Sequence, residues 1–327
     1  MLPRAVSDHY RAQQRLTLAL LSALRSEWAT VGDDLDAGWR RIGPRLTALV
    51  TAAQLGAATD GLSYVPQALL QSGHDIAPIG QVDPKAFAGV ATSLDALAYG
   101  DLGALLYGAV VHARSASAST LAERKSIGML HLATLARTQI SDAARQSASV
   151  AIIARPRTGW IRMVSAPCCQ RCAVLAGKLF KSNQGFDRHP RCDCRHIPFA
   201  ESDPFDPGVR IGPEDVKDLT STQRQAIADG ADMNQVINAR RSGAISADGM
   251  WTNEGMTRRG WASHVRREIA RQRGETLHET ATQVGRRGFV QDSVGRRFKR
   301  PTPEAIYRFT DSREEAIQLL RDYGYFV

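Results

Sequence analysis

The sequence predicts a mainly α-helical chain. A helical N-terminal domain over residues 1–150 is followed by a small α+β module over 151–200 and by a linker with a basic, partly helical C-terminal region over 201–327. Three observations support this. Apolar residues recur at helical spacing through most of the first 150 positions. All five cysteines, Cys168, Cys169, Cys172, Cys192 and Cys194, then fall within 27 residues. Beyond them the chain carries Pro204, Pro207 and Pro213 and later turns strongly basic.

The elements follow in order. Over residues 8–31, Leu16, Leu20, Leu21 and Leu24 recur on one helical face with Arg11, Arg15 and Arg25 between them. A second helix is predicted over 34–57, through Leu35, Trp39, Ile42, Leu46, Leu49 and Val50. Pro66, Gly73, Pro78 and Gly80 make 61–83 read as a connection with short structured pieces. A third helical region, 84–113, is interrupted near Gly100 and Gly103. Thr120 and Glu123 then fit a capping box, in which hydroxyl and carboxylate each satisfy a free backbone N–H. That helix should reach about Ser149, bury Ile127, Leu130, Leu135 and Ile140, and present Lys125, Arg137 and Arg145 on its other side. Residues 160–164 alternate as a strand does. After a linker over 201–212, residues 220–241 read as helical and 242–260 as Gly-rich and weakly structured. Residues 261–273 read as a basic helix, and 303–325 as one or two closing helices ending at Gly324.

Composition narrows the function classes. With 43% apolar and 23% charged residues the chain sits near the globular average, which excludes wholesale disorder and a fibrous repeat. No run of 18 apolar residues occurs, so neither a membrane span nor a membrane partner is expected. The first residues lead into an amphipathic segment, so a secretory leader is not expected. The net charge of +9 is uneven: residues 1–100 carry −1, 101–200 carry +9, and 256–300 alone carry +8. Such blocks suit a polyanion or an acidic partner. The candidate phosphate contacts are Arg266, Arg267, Arg271, Arg273, Arg286, Arg287, Arg296, Arg297, Lys299 and Arg300.

The cysteines carry the most specific chemistry. Cys169 and Cys172 form a Cys-x-x-Cys turn, and 16 residues separate Cys172 from His189-Pro190-Arg191-Cys192-Asp193-Cys194. Such a turn presents two thiolates to one tetrahedral ion, and a second knuckle about 15–20 residues later supplies the other ligands. An odd number of cysteines in one cluster argues against a disulfide framework. The candidate ligands are Cys169 and Cys172 with two of His189, Cys192 and Cys194, leaving Cys168 as a spare. Zn2+ closed by four protein ligands has no open position for water, so its expected role is structural. In so short a zinc-knuckle module the metal would supply much of the folding energy. A redox Cys-x-x-Cys would need a βαβ setting, which the surrounding sequence lacks.

Ala136-Arg137-Thr138-Gln139-Ile140, the Trp160 strand, Cys-x-x-Cys, Leu175-Ala176-Gly177-Lys178-Leu179-Phe180 and His189-Pro190-Arg191-Cys192-Asp193-Cys194 occur in that order. Together they resemble the phage Mu F-like minor head proteins over about residues 120–200. Gln139 and Ala176 depart from that family's pattern, which has acids there, and neither is a proposed ligand. The segment from Ala226 to Arg241 and the closing Pro301-Thr302-Pro303-Glu304-Ala305-Ile306-Tyr307 are similar to the larger minor capsid proteins of actinobacterial tailed phages.

The resemblance implies a minor capsid and head-morphogenesis protein of low copy number. It would meet the phage portal protein and the major capsid or scaffolding protein, assemble in the bacterial cytoplasm, and end in the virion near the portal. Its basic blocks would suit phage double-stranded DNA, because Lys and Arg neutralise phosphates without reading sequence. Proteins of this type are often labelled capsid maturation proteases, which is the enzyme alternative. No Gly-x-Ser-x-Gly occurs, and His278-Glu279 is followed by Thr280-Ala281-Thr282 instead of a second zinc-protease histidine. His131 is expected to be a packing or surface residue, and Ser263-His264 adjacency does not make a triad. No catalytic residue is assigned. A third reading, a zinc-containing nucleic-acid-binding protein, lacks a recognition-helix pattern and has few aromatic residues (6%) for stacking.

Overall fold

The computed structural model describes residues 3–91, 101–117, 120–182, 186, 192–203, 209, 211–241, 243–254 and 299–326. The chain is mainly helical and forms two compact units. One comprises Met1–Ser165 with Gly177–Val209, the other Ala166–Ala176 with Arg210–Val327. Among the described residues no helix is long and apolar enough to cross a membrane.

The first unit is built on α1 (Arg4–Ala29), α2 (Leu35–Gln71), α3 (Leu102–Ser115) and α4 (Leu121–Ile153). Leu20, Leu21, Leu24 and Trp28 of α1 meet Ile42, Leu46 and Val50 of α2, and Leu105 and Leu106 of α3 meet Leu132 and Ile140 of α4, in one hydrophobic cluster. The capping box of α4 forms as the sequence predicts. Glu123 N–H donates to Thr120 Oγ1 at 3.2 Å, and Thr120 N–H donates to the Glu123 carboxylate at 3.1 Å. At α2, the Asp34 carboxylate accepts from the N–H groups of Asp36 and Ala37, both at 3.0 Å.

Two glycines let these helices touch. A Cβ at Gly61 of α2 would lie 2.3 Å from Ser147 Oγ and 2.7 Å from the Ala144 carbonyl of α4. A Cβ at Gly128 of α4 would lie 2.7 Å from the Trp28 ring and 2.9 Å from the Ala113 Cβ.

Three expectations change here. The second helix does not end near Ala57 but runs 37 residues to Gln71, with Pro44 and Pro66 inside it. Proline removes one helical donor, but burial of Tyr64, Val65, Ala68 and Leu69 holds the segment helical past Pro66. On α4, Leu130 is 66% exposed, and Ile127 and Leu135 are only half-buried. The buried stripe is Leu132, Ala136, Ile140 and Ala143, so Ile140 is buried as expected while Leu130 faces solvent. Arg145, expected on the polar face, is buried.

A second cluster in the same unit joins Val6, Tyr64, Val65 and Leu69 to Ile152 and to a small sheet. That sheet has antiparallel order β2-β1-β3, with β1 at Thr158–Met163, β2 at Leu179–Lys181 and β3 at Arg195–Ala200. Trp160 pairs with Phe180 on one side and Pro198 on the other, and Arg162 pairs with His196. The Trp160 ring stacks on Phe180 at 4.1 Å and on Phe186 at 5.0 Å. The strand read from the alternation forms, and Thr158 to Arg162 are all buried.

The second unit contains α5 (Gln170–Leu175), α6 (Ser221–Ala228), α7 (Met233–Asn238), the ladder of β4 (Trp251–Thr252) with β5 (Arg300–Pro301), α8 (Pro303–Phe309) and α9 (Arg313–Asp322). Ala226, Val236, Ile306, Ala316, Leu320 and Tyr325 form its core. The single helical region expected over 220–241 is two helices. They are parted where Gly230 takes φ +105°, a conformation that costs glycine little. Asp229 ties this corner to the C-terminus. It accepts from Tyr307 Oη at 2.5 Å and from Arg313 Nε at 2.8 Å. The basic helix expected over 261–273 lies outside the described residues.

Candidate metal centre

The Cys-x-x-Cys sequence folds as a short turn followed by a helix. Cys169 is the N-cap of α5, and its Sγ accepts the backbone N–H of Cys172 at 3.5 Å. Cys192 and Cys194 lie just before β3 and are buried, as is Cys172.

The Sγ atoms of Cys172, Cys192 and Cys194 lie within 4.8 Å of one another. None of the five cysteines is in a disulfide. Sulfurs bound to one tetrahedral ion at about 2.3 Å would stand about 3.8 Å apart, so this buried cluster could hold a metal ion. Of the candidate ligands, Cys172, Cys192 and Cys194 are brought together in this way. Cys169 stands beside Cys172 but outside that mutually close group, and His189 lies outside the described residues. Cys168, the spare, enters a parallel bridge with Val216; its N–H donates to Asp215 O at 2.8 Å.

No family model, curated protein or solved structure matches the chain significantly.

What holds the Cys192–Cys194 turn is Arg145. Its Nε donates to the Cys194 carbonyl at 2.7 Å, its Nη2 to the Cys192 carbonyl, and its Nη1 to Asp142 Oδ1 at 2.8 Å. Both members of that ion pair are buried. The residue after Cys194 is also a buried cation: the Arg195 guanidinium lies 3.7 Å over the Tyr10 ring. His196, 1% exposed, stands edge-on to Trp160 at 4.5 Å. Burial pushes its pKa down to about 3, and the charges of Arg145, Arg162 and His9 add to the shift, so the ring is neutral. Tyr64 Oη donates to the His196 carbonyl at 2.7 Å and its ring stacks on His9, whose Nδ1 meets Asp60 at 2.6 Å.

Sequence reasoning did not single out His9, Asp60, Tyr10 or Tyr64. They come from α1 and α2, far from the cysteines in the chain, and no local spacing marks them. Arg145 was noted only as a surface cation. The one available signal was its position: Asp142 precedes it by three residues, so the two share a helix face.

The candidate phosphate contacts divide. Arg266, Arg267, Arg271, Arg273, Arg286, Arg287, Arg296 and Arg297 lie outside the described residues, as do Ser263, His264, His278 and Glu279. Lys299 is exposed. Arg300 is inside the second unit: its guanidinium donates to the carbonyls of Tyr323 and Gly324 and to Gln235, and lies 4.1 Å over the Tyr325 ring. At 1% exposure it supports the C-terminal turn and presents no charge to solvent. His131 is half-buried and stacks on His112 at 4.5 Å.

Proposed function

We propose that the chain is a minor head protein of a tailed bacteriophage, of the Mu F-like type, with a structural zinc site and no catalytic centre. The observation that carries the reading is the buried Cys172, Cys192 and Cys194 group, to which Cys-x-x-Cys and His-Pro-x-Cys-x-Cys each contribute. Those two motifs also carry the resemblance. The fourth ligand is Cys169, adjacent through its bond to Cys172 N–H, or His189. A divalent ion so held supplies cross-linking and no open coordination position. This chain's own residues fix the turn: Arg145 fastens the Cys192 and Cys194 carbonyls, and Asp142 fastens Arg145.

The partners that follow are the portal protein, the major capsid or scaffolding protein, and packaged double-stranded DNA met through the basic 256–300 segment. The place of action is the head interior near the portal. Co-expression with the cognate portal and capsid proteins tests this. The expected result is incorporation of the chain into heads at low copy, with about one zinc per chain and an intact major capsid protein. Defined cleavage of the capsid protein, lost on a single Ser or His substitution, would replace this reading with a maturation protease. Absence from assembled heads would overturn it outright.

A further inference from the structure

We propose that the first unit carries a binding site for a small phosphate-type oxyanion, held by Arg195 in a cleft beside α1. The site is separate in chemistry from the thiol group and does not depend on a metal being bound.

The cleft is open to solvent and has a volume of about 40 Å³. Arg195 lines it and is 7% exposed. Its Nη2 donates to the Asp193 carbonyl at 2.7 Å, but its Nη1 is buried with no hydrogen-bond partner. Arg145, in the same wall, has Asp142 as its counter-ion; Arg195 forms no ion pair among the described residues. A guanidinium taken out of water without a counter-ion is costly, and an incoming anion removes that cost. Neither nearby carboxylate forms an ion pair with Arg195, although the charge of Asp193 acts on it. Asp60 is taken by His9 at 2.6 Å and Gln13 at 2.8 Å, while Asp193 stands exposed at the rim.

The other orphaned atoms define the ligand further. His196 lines the same cleft, and both of its ring nitrogens are buried without partners. So is Oε1 of Gln13, whose amide nitrogen is committed to Asp60. The His196 ring packs against Trp160 and Phe186 on the strand face opposite Arg195, so the ligand must accept from Arg195 and donate to Gln13. A hydrogen phosphate or phosphate monoester, which carries its own O–H, does both. Sulfate and carboxylate at neutral pH accept only.

Isothermal titration with inorganic phosphate, sulfate and acetate, at matched ionic strength and with the zinc content of each sample measured, tests the site. Phosphate should bind about tenfold or more tightly than either comparison anion, as expected when a buried charged hydrogen bond is gained or lost. Arg195→Gln should weaken phosphate by about ten- to a hundredfold. Because that variant alters a residue next to Cys194, Gln14→Glu on the exposed rim of the cleft gives a second arm. It should weaken phosphate while the chain keeps its fold and its metal. No phosphate binding, equal binding of sulfate or acetate, or unchanged affinity in both variants would overturn the proposal.

Discussion

Arg145 Nε donates to the Cys194 carbonyl at 2.7 Å, from a helix position 49 residues earlier in the chain. With Nη2 on the Cys192 carbonyl, one planar group sets the spacing of two candidate ligands. Lysine cannot reproduce this, having a single point charge in place of a rigid fork. Arg145→Lys should weaken metal binding by about 10–100-fold, as loss of groups that orient ligands generally does. Competition against a chromophoric chelator measures it, and unchanged affinity would show that the turn holds itself.

Cys172→Ser, Cys192→Ser and Cys194→Ser should each lose the metal, whereas Cys168→Ser should retain it. The last sulfur belongs to a residue whose backbone is engaged with Asp215 and Lys217 and which stands outside the close group. Metal-to-protein ratios on the purified variants decide this. Chelation of the unaltered chain should lower its melting midpoint, since metal bound only by the folded state stabilises it.

At the α2–α4 crossing, Gly61→Ala should destabilise the first unit by roughly 1–3 kcal/mol, the usual cost of overpacking a tight contact. Ser147→Ala should relieve part of the cost but not all, because the Ala144 carbonyl would still lie 2.7 Å from the new methyl. Urea midpoints of the single and double variants give the comparison.

Asp229 predicts a pH dependence in the second unit. Burial pushes its carboxyl up, but hydrogen bonds from Tyr307, Gln225 and Arg313, and the charge of Arg313, outweigh this and hold it below 3.8. The folded state therefore binds this proton less readily than the unfolded chain. The stabilisation is fully present above 3.8 and is lost as pH falls through the lowered folded value. Asp229→Asn should cost about 1.5–3 kcal/mol near neutrality, the range for hydrogen bonds to a charged group. The gap between variant and parent should narrow as pH falls below 3.8, as chemical denaturation at stepped pH would show.

The sequence made local features legible and left non-local ones hidden. The Thr120 capping box, the Trp160 strand and the clustering of cysteines all depend on neighbours a few residues apart, and each forms. Pro66 misled because proline usually punctuates, and here tertiary burial of Tyr64, Val65 and Leu69 outweighs one missing hydrogen bond. Leu130 misled because size suggested burial, whereas the buried face of α4 runs through Leu132, Ala136 and Ile140. The candidate ligands could be named from spacing. Their support could not, because Arg145, Tyr10 and His9 reach the site through helix packing that no local pattern encodes.

The length of α2 has a mechanical meaning. At about 1.5 Å per residue its 37 residues make a strut of about 56 Å, with one end among Ile42 and Leu46 and the other among Tyr64, Val65 and Leu69. Pro44 lies between buried Ile42 and Leu46, and Pro66 between Val65 and Ala68, so each gap in the ladder is splinted by packing. One continuous helix therefore links Tyr64, the α2 residue in the cleft wall, to the four-helix end. The helix is a single splint across both clusters, and Trp28 and Trp39 fluorescence measured with the Arg195 cleft occupied and empty tests whether the far cluster responds.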